Sequence, residues 1–217
     1  MKVKTVKQCR DCGDDFKPFK TTDTRCVGCI IKKAIIDNQR KREKAMSEEG
    51  KARRKKLKQM KIANKSHATW QNDLQPFINT VCRLIDHGLK CISCPGKGTQ
   101  AGHYHSRGAN NSLRFNLHNL HTQEYNCNVG RGSNRTGYNA GLVERYGKSY
   151  QEFVEYDLVR KYPVVKLSIP ELQEAISRTK RIIVELKDIG RTYSADERYW
   201  LREKYNAEIG IYNQQRR

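Results

Sequence analysis

No apolar run in the chain reaches the roughly 18 residues that a membrane-spanning helix needs, so nothing in it is expected to cross a bilayer. The first residues, MKVKTVKQC, lack the apolar core of an export signal, and a cytoplasmic location is the expectation. Apolar residues make up only 36% of the 217 positions, too few for one large core and suited to one medium or two small domains. Acidic charge is the other shortage. Lys and Arg number 43 against 23 Asp and Glu, leaving a net charge of +20. An excess of that size points to a polyanionic partner, because each cation that neutralises a phosphate releases condensed counterions. Nucleic acid is the first candidate and an anionic membrane surface the second.

Cysteine, by contrast, is plentiful. Six of the eight cysteines form Cys-x-x-Cys pairs, at 9 and 12, 26 and 29, and 91 and 94, while Cys82 and Cys127 stand alone. With no export signal beside them, such pairs read as metal clamps, since two thiolates at that spacing bind one tetrahedral Zn²⁺. In CRDCGDDFKPFKTTDTRCVGC two pairs lie thirteen residues apart, which makes Cys9, Cys12, Cys26 and Cys29 a self-contained zinc site. A module of residues 1–36 is too small to fold on buried surface alone, so the metal would supply its folding energy. Residues 37–65 are strongly basic, free of proline and poor in apolar residues. They form either a solvated helix or a disordered tether, and we read them as a phosphate-tracking arm rather than a merely soluble linker.

From residue 66 the pattern changes. Trp70, Leu74, Phe77, Ile78, Val81, Leu84 and Ile85 recur at helical steps, with Gly88 placed to cap the C-terminus and Pro76 placed either to start the helix or to kink it. We read this helix as core rather than site, with Cys82 a small buried residue. Beyond residue 140, SYQE at 149–152 and SIPE at 168–171 match the capping-box pattern, and Ser194 is placed to cap a last helix. Their apolar residues are expected to pack against one another. The organisation is therefore 1–36, 37–65, 66–147 and 148–217, the last region mostly helical.

Between these helices lies CISCPGKGTQAGHYHSRGANNSLRFNLHNLHTQEYNCNVGRGSN, residues 91–134. The order CISC, AGHY, LRFN, N-x-H, CN and a closing SN resembles the core of an HNH (ββα-metal) nuclease whose hairpin and helix are braced by zinc knuckles. More narrowly, the chain is similar to the NinG (Rap) recombination proteins of lambda-like phages, with the knuckle, charged arm and helical tail in the same order. The fold that this resemblance implies is α+β, a small zinc-braced HNH core with an N-terminal zinc knuckle and mostly helical flanks. The activity it implies is structure-selective cleavage of branched recombination intermediates, Holliday junctions and D-loops, inside a bacterial host cell. Other phage recombination proteins are further expected partners, and a homodimer is expected because junction resolution takes two symmetric cuts.

The chemistry suits such residues. Hydrolysis of a phosphodiester needs a base near neutral pH, and an imidazole serves; Mg²⁺ or Mn²⁺ would neutralise charge on the leaving oxygen. By the resemblance His103 is the general base, Asn119 ties the loop between the strands to that histidine, and Asn128 occupies the metal-side position of the helix. Two departures stand out. Many HNH sites have an aspartate just before the histidine, and position 102 is Gly. If residues 103–105 form a regular strand, His105 shares a face with His103 and either replaces that ligand or is a phosphate or surface histidine. The second departure is in the zinc site, where Glu124 stands at a usual cysteine position. Cys91, Cys94 and Cys127 then need a fourth ligand; we expect Glu124, with His121 a packing or site-lining residue, and an empty degraded site as the alternative. Arg107, Arg114, Arg131 and Arg135 surround these motifs and are candidates to grip phosphate or are merely solvated. Two structural zinc ions are expected in all. A zinc scaffold that binds DNA without cutting, and an HNH nicking enzyme with another DNA target, are the competing functions.

Overall fold

The computed structural model describes residues 6–213, which fall into two compact units, one ending at Asn64 and one starting at Lys65. The chain is helix-rich α+β, and the sheets among the described residues are two small antiparallel pairs. No helix among the described residues is long and apolar enough to cross a membrane.

In the first unit β1 (Lys7–Gln8) pairs with β2 (Asp15–Phe16) around the Cys9–Cys12 turn. Helix α1 (Val27–Ala63) follows with Cys26 as its N-cap residue, and it buries no side chain. The composition boundary between residues 36 and 37 thus falls inside one continuous helix. Cys26 and Cys29 sit at its start, so the knuckle and the basic arm share a backbone roughly 55 Å long at 1.5 Å per residue.

The second unit opens with α2 (His67–Ile85), capped by the Ser66 hydroxyl, which accepts a hydrogen bond from the Thr69 amide at 3.2 Å. Pro76 neither starts nor breaks this helix. It sits mid-helix on the exposed side, where its missing N–H is least costly. Leu74, Ile78, Val81 and Ile85 are fully buried, as their spacing predicts, and Cys82 is buried among them. They pack against α6 (Ile169–Ile189) and α7 (Ala195–Ile209). Strand β3 (Gln100–His103) pairs with β4 (Leu120–Gln123), with Gly102 opposite His121 and His103 opposite Leu120. A π-helical turn at Asn126–Gly130 leads to α3 (Arg135–Tyr146). Next come α4 (Lys148–Glu152) and α5 (Leu158–Lys161), joined by a second π-turn. Residues beyond 148 share one core with α2 and the hairpin, so the expected division at 147/148 lies within this unit.

Two of the three expected caps are present: Ser168 with Glu171 and Ser194 with Glu197 both form full capping boxes. SYQE does not. Helix α4 begins at Lys148 behind Gly147, whose φ of 86° already turns the chain, and no side chain caps it. On α7 the buried residues include Arg202 as well as Tyr205 and Ile209, whereas Trp200 is exposed. Arg202 and Asp86 form an ion pair of 2.7 Å in which neither side chain is exposed. The Arg202 guanidinium also donates to the carbonyls of Leu117, at 3.1 Å, and Leu120, at 3.4 Å. Periodicity alone does not reveal such a pair.

Candidate active site

Strand β3 ends at His103, and Tyr104 and His105 lie in a bend. The expected shared face of the two histidines is therefore lost. His103 Nε2 lies 2.9 Å from the carbonyl oxygen of Arg114, whereas His105 Nε2 lies 2.9 Å from that of Val154. A carbonyl only accepts, so each ring carries its proton on Nε2 and keeps a lone pair on Nδ1. Burial drives the His103 pKa down to about 4, further lowered by Arg107 and Arg114 and partly opposed by the Arg114 carbonyl. His103 is thus a neutral imidazole over the whole physiological range. Burial also lowers the His105 pKa, opposed by the Val154 carbonyl. The acidic group in the field of His105 is Glu155, whose oxygens are engaged by Arg135 and Gln151.

Asn119 is fully buried, and its amide works like a backbone segment. Its Oδ1 accepts from the His105 amide at 2.7 Å, and its Nδ2 donates to the carbonyls of His105 and Leu113, each at 3.0 Å. It ties the loop between the strands together, but at His105 and Leu113; His103 itself is held by Arg114. Asn128 lies half-buried in the π-turn beside β3; its backbone N–H donates to the Glu124 carbonyl at 2.9 Å, and its side-chain amide makes no hydrogen bond to another described residue.

The missing aspartate has a physical cause. A Cβ on Gly102 would sit 1.7 Å from Oε1 of Gln123, so no side chain fits there while Gln123 holds its place. Gln123 is fully buried and donates to Ser93 Oγ at 2.7 Å and to the Ser133 carbonyl at 2.8 Å. It thereby joins β4 to the Cys91–Cys94 turn. Glycines bring α3 onto the same turn: a Cβ on Gly141 would meet the Ile92 carbonyl at 1.7 Å and one on Gly137 the Ser93 carbonyl at 2.3 Å. Neither Gln123 nor these glycines stands out in the sequence as a supporting residue, although Gly-x-x-x-Gly is a known signal of close backbone approach.

Both cysteine clusters suit a structural metal. Tetrahedral zinc with Zn–S bonds of about 2.3 Å sets its sulfurs roughly 3.8 Å apart. Cys12 and Cys26 have their sulfurs 3.8 Å apart, and all four of Cys9, Cys12, Cys26 and Cys29 lie within 4.8 Å of one another. The Cys26 amide donates to Cys9 Sγ at 3.3 Å. That amide and the Cys12 amide draw the Cys9 pKa down to about 6, while the side chains of Cys12 and Cys26 push Cys29 up to about 12. Four crowded thiols do not ionise together without a cation, and zinc supplies one. In the second cluster Cys91, Cys94 and Cys127 are equally close. Glu124 Oε2 is 3.2 Å from Cys94 Sγ, but its carboxylate is not within 4.8 Å of all three sulfurs, so the expected fourth ligand touches one cysteine without joining the cluster. The Gly96 amide favours the Cys94 thiolate, yet burial, Glu124, Cys127 and Cys91 outweigh it and push Cys94 up to about 12. His121 lies elsewhere. Its two nitrogens are taken by Tyr138 Oη at 3.1 Å and Tyr150 Oη at 3.4 Å, and Tyr138 in turn donates to the Gly102 carbonyl.

The sequence model of the family described as Bacteriophage Lambda NinG protein matches residues 1–189. The chain belongs to the NinG family. Protein ninG of Salmonella phage P22 is 36% identical over 108 residues, 47% of this chain and 52% of that protein. Protein ninG of Escherichia phage lambda is 36% identical over 106 residues, 46% of this chain and 50% of that protein. The chain thus spans about half the length of the curated NinG relatives it matches. No solved structure matches it.

The four arginines differ in their surroundings. Arg107 and Arg131 are exposed and pair with no acidic side chain among the described residues. Arg135 is engaged: it donates to the Tyr104 carbonyl at 2.6 Å and stacks on the Tyr104 ring, its guanidinium carbon 3.5 Å from the centroid. Arg114 is buried, and its guanidinium is held by Gln75, Gln71 and Asn72, all neutral. The clusters aside, no three His, Cys, Asp or Glu side chains among the described residues converge as metal ligands.

Proposed function

We propose that this NinG-family chain is a structure-selective DNA endonuclease with an HNH-type core that cleaves branched recombination intermediates. One observation carries the reading: His103 ends the first strand of a hairpin as a neutral imidazole with a free Nδ1 lone pair, and Gln123 ties that hairpin to a cysteine cluster suited to zinc. Such an imidazole is unprotonated and available as a base, and a bound phosphate, by offsetting the nearby arginines, would raise its low proton affinity. Asn119 keeps the loop that follows it in register, and Gln123 ties the hairpin to the Cys91–Cys94 turn. The net charge of +20 and the exposed basic helix α1 support a polyanionic partner.

The resemblance also implies Mg²⁺ or Mn²⁺. Hard cations favour carboxylate oxygens, and the position where the motif has one is closed by Gln123, leaving imidazoles and the Asn128 amide. Among the described residues the chain's own donors do not make a site for such an ion. That observation favours a second reading, a zinc-braced DNA-binding protein that does not cut. The test uses the zinc-loaded protein, a labelled four-way junction and a matching duplex, with no added divalent ion, Mg²⁺ or Mn²⁺. Cutting of the junction that His103→Ala abolishes, while binding persists, is the expected result, and the comparison of ions shows whether a divalent cation brought by the DNA takes part. Tight binding without cutting under every ion establishes the second reading, and equal cutting of both DNAs refutes branch selectivity.

A further inference from the structure

The two faces of α2 do different work. Its apolar face, Leu74, Ile78, Val81 and Ile85, is core. The opposite face places Asn72, Gln75, Pro76, Asn79, Thr80 and Arg83 at three- and four-residue steps, and with Arg107 and Arg114 they line a pocket of about 360 Å³. Three guanidinium groups meet there, and no Asp or Glu lines the pocket. Arg114 is only 7% exposed, yet every group it donates to is neutral: Gln75 Oε1 at 3.0 Å, Asn72 Oδ1 at 2.9 Å, and the side chain and carbonyl of Gln71 at 3.3 and 3.4 Å. Among the described residues the Arg83 guanidinium donates only to Thr80 Oγ1, at 3.0 Å. A buried cation is normally balanced by an anion, and neutral acceptors orient this one without cancelling its charge. Arg107 lies close enough for its charge to disfavour that of Arg114. The field of the pocket is therefore positive, and its walls carry amide and hydroxyl groups that hydrogen-bond phosphoryl oxygens.

We infer that this pocket is a phosphate subsite, which holds a backbone phosphate of the DNA strand adjoining the one presented to His103. Arg114 links the two places: its carbonyl holds His103 while its guanidinium forms the pocket wall. The location beside His103 matters only through the proposed nuclease reading; the binding of phosphate does not depend on it.

The test follows the side-chain amide NMR signals of Gln75 and Asn79 in the zinc-loaded full chain, which report on this pocket and not on α1. Inorganic phosphate is titrated against chloride at constant ionic strength. Saturable shifts with phosphate alone are expected, weakened at least tenfold in Arg83→Gln and in Arg107→Gln, two side chains outside the core. Tetrathymidylate should compete with phosphate and bind more tightly. Absence of saturable shifts, or equal shifts with chloride, overturns the subsite. Shifts that tetrathymidylate does not displace also overturn it, since the pocket then takes a free anion and not a DNA phosphate. No cleavage is read here, so a protein that binds phosphate as described and cuts no DNA refutes the nuclease reading alone.

Discussion

Replacing Arg202 by Met tests whether the C-terminal helix organises the site. The guanidinium is fully buried and makes four hydrogen bonds: to Asp86 Oδ1 at 2.7 Å and to the carbonyls of Leu117, Arg198 and Leu120. Methionine fills much of its volume, so the loss is mainly electrostatic. Asp86 would keep one donor, the Thr122 amide at 2.9 Å, and would stay buried as an unpaired carboxylate. Breaking a buried pair from one side costs about 3–5 kcal/mol. Orphaning the Leu117 and Leu120 carbonyls adds to this, but the terms overlap, and we expect about 4 kcal/mol in all. At roughly 2–4 °C per kcal/mol for a unit of this size, Tm should fall by about 8–16 °C. Both tryptophans, Trp70 and Trp200, lie in the second unit, so fluorescence in urea reports its unfolding without interference from α1. Arg202→Met combined with Asp86→Leu should be less damaging than the sum of the single changes by about 2 kcal/mol or more, because no lone charge then remains. Additive losses, or a single change costing under about 1 kcal/mol, would refute the reasoning. Since Leu117 and Leu120 flank the buried Asn119, a weakened Arg202 variant should also lose the His105 clamp.

Three further outcomes follow from the site. Gly102→Ala places a methyl group against Gln123 and should cost about 1–3 kcal/mol in urea unfolding; Gln123→Ala in the same chain should recover part of the loss, and no recovery would mean that the clash lies elsewhere. Elemental analysis should find two zinc ions per chain, falling to one in Glu124→Ala and to one in Cys9→Ser, and a wild-type count of one would remove Glu124 from the ligand set. The His103 ring should titrate near pH 4 by NMR, with assignment from His103→Gln, and a midpoint at or above 6.5 would refute a held neutral ring. Because its folded pKa lies below the unfolded value of about 6.5, the unfolded chain binds the extra proton first. This histidine's contribution is therefore full above pH 6.5 and is lost as pH falls toward 4, a slope that His103→Gln should lack.

What could be read from the sequence were features carried by spacing. The Cys-x-x-Cys pairs fix two thiolates on one turn, so both clusters were legible, as was the apolar seam of α2 at 74, 78, 81 and 85. Features set by contact between distant segments were not. Nothing local says that Gln123 closes the space beside Gly102 twenty-one positions earlier, or that Arg202 answers Asp86. The histidine pair failed for a related reason. Residues 103 and 105 share a face only on a regular strand, and β3 ends at 103 because the Asn119 amide captures the His105 backbone in place of a strand partner. The amphipathic reading of α2 was correct about its core and silent about its other face, because asparagine, glutamine and threonine at helical spacing look like ordinary solvated residues. What distinguishes them is that acidic residues are missing from that stripe, with two arginines arriving from the loop at 107 and 114.

The charge around His103 decides which ligand the site favours. Arg107 and Arg114 both act to keep the imidazole unprotonated, and no carboxylate opposes them there. A metal site for a hard cation is normally rich in carboxylate, which would raise the pKa of a neighbouring imidazole. Here the sign is reversed: Arg107 and Arg114 make the field at His103 positive, which disfavours a cation and is the sign that the proposed phosphate ligand needs. On the proposed reading, a phosphodiester held here would offset the guanidinium charge that opposes protonation of His103, and so raise the low basicity of the free ring. Gly102 is consistent with that proposal, since an aspartate at that position would collide with Gln123 and would cancel part of the positive field of Arg107 and Arg114.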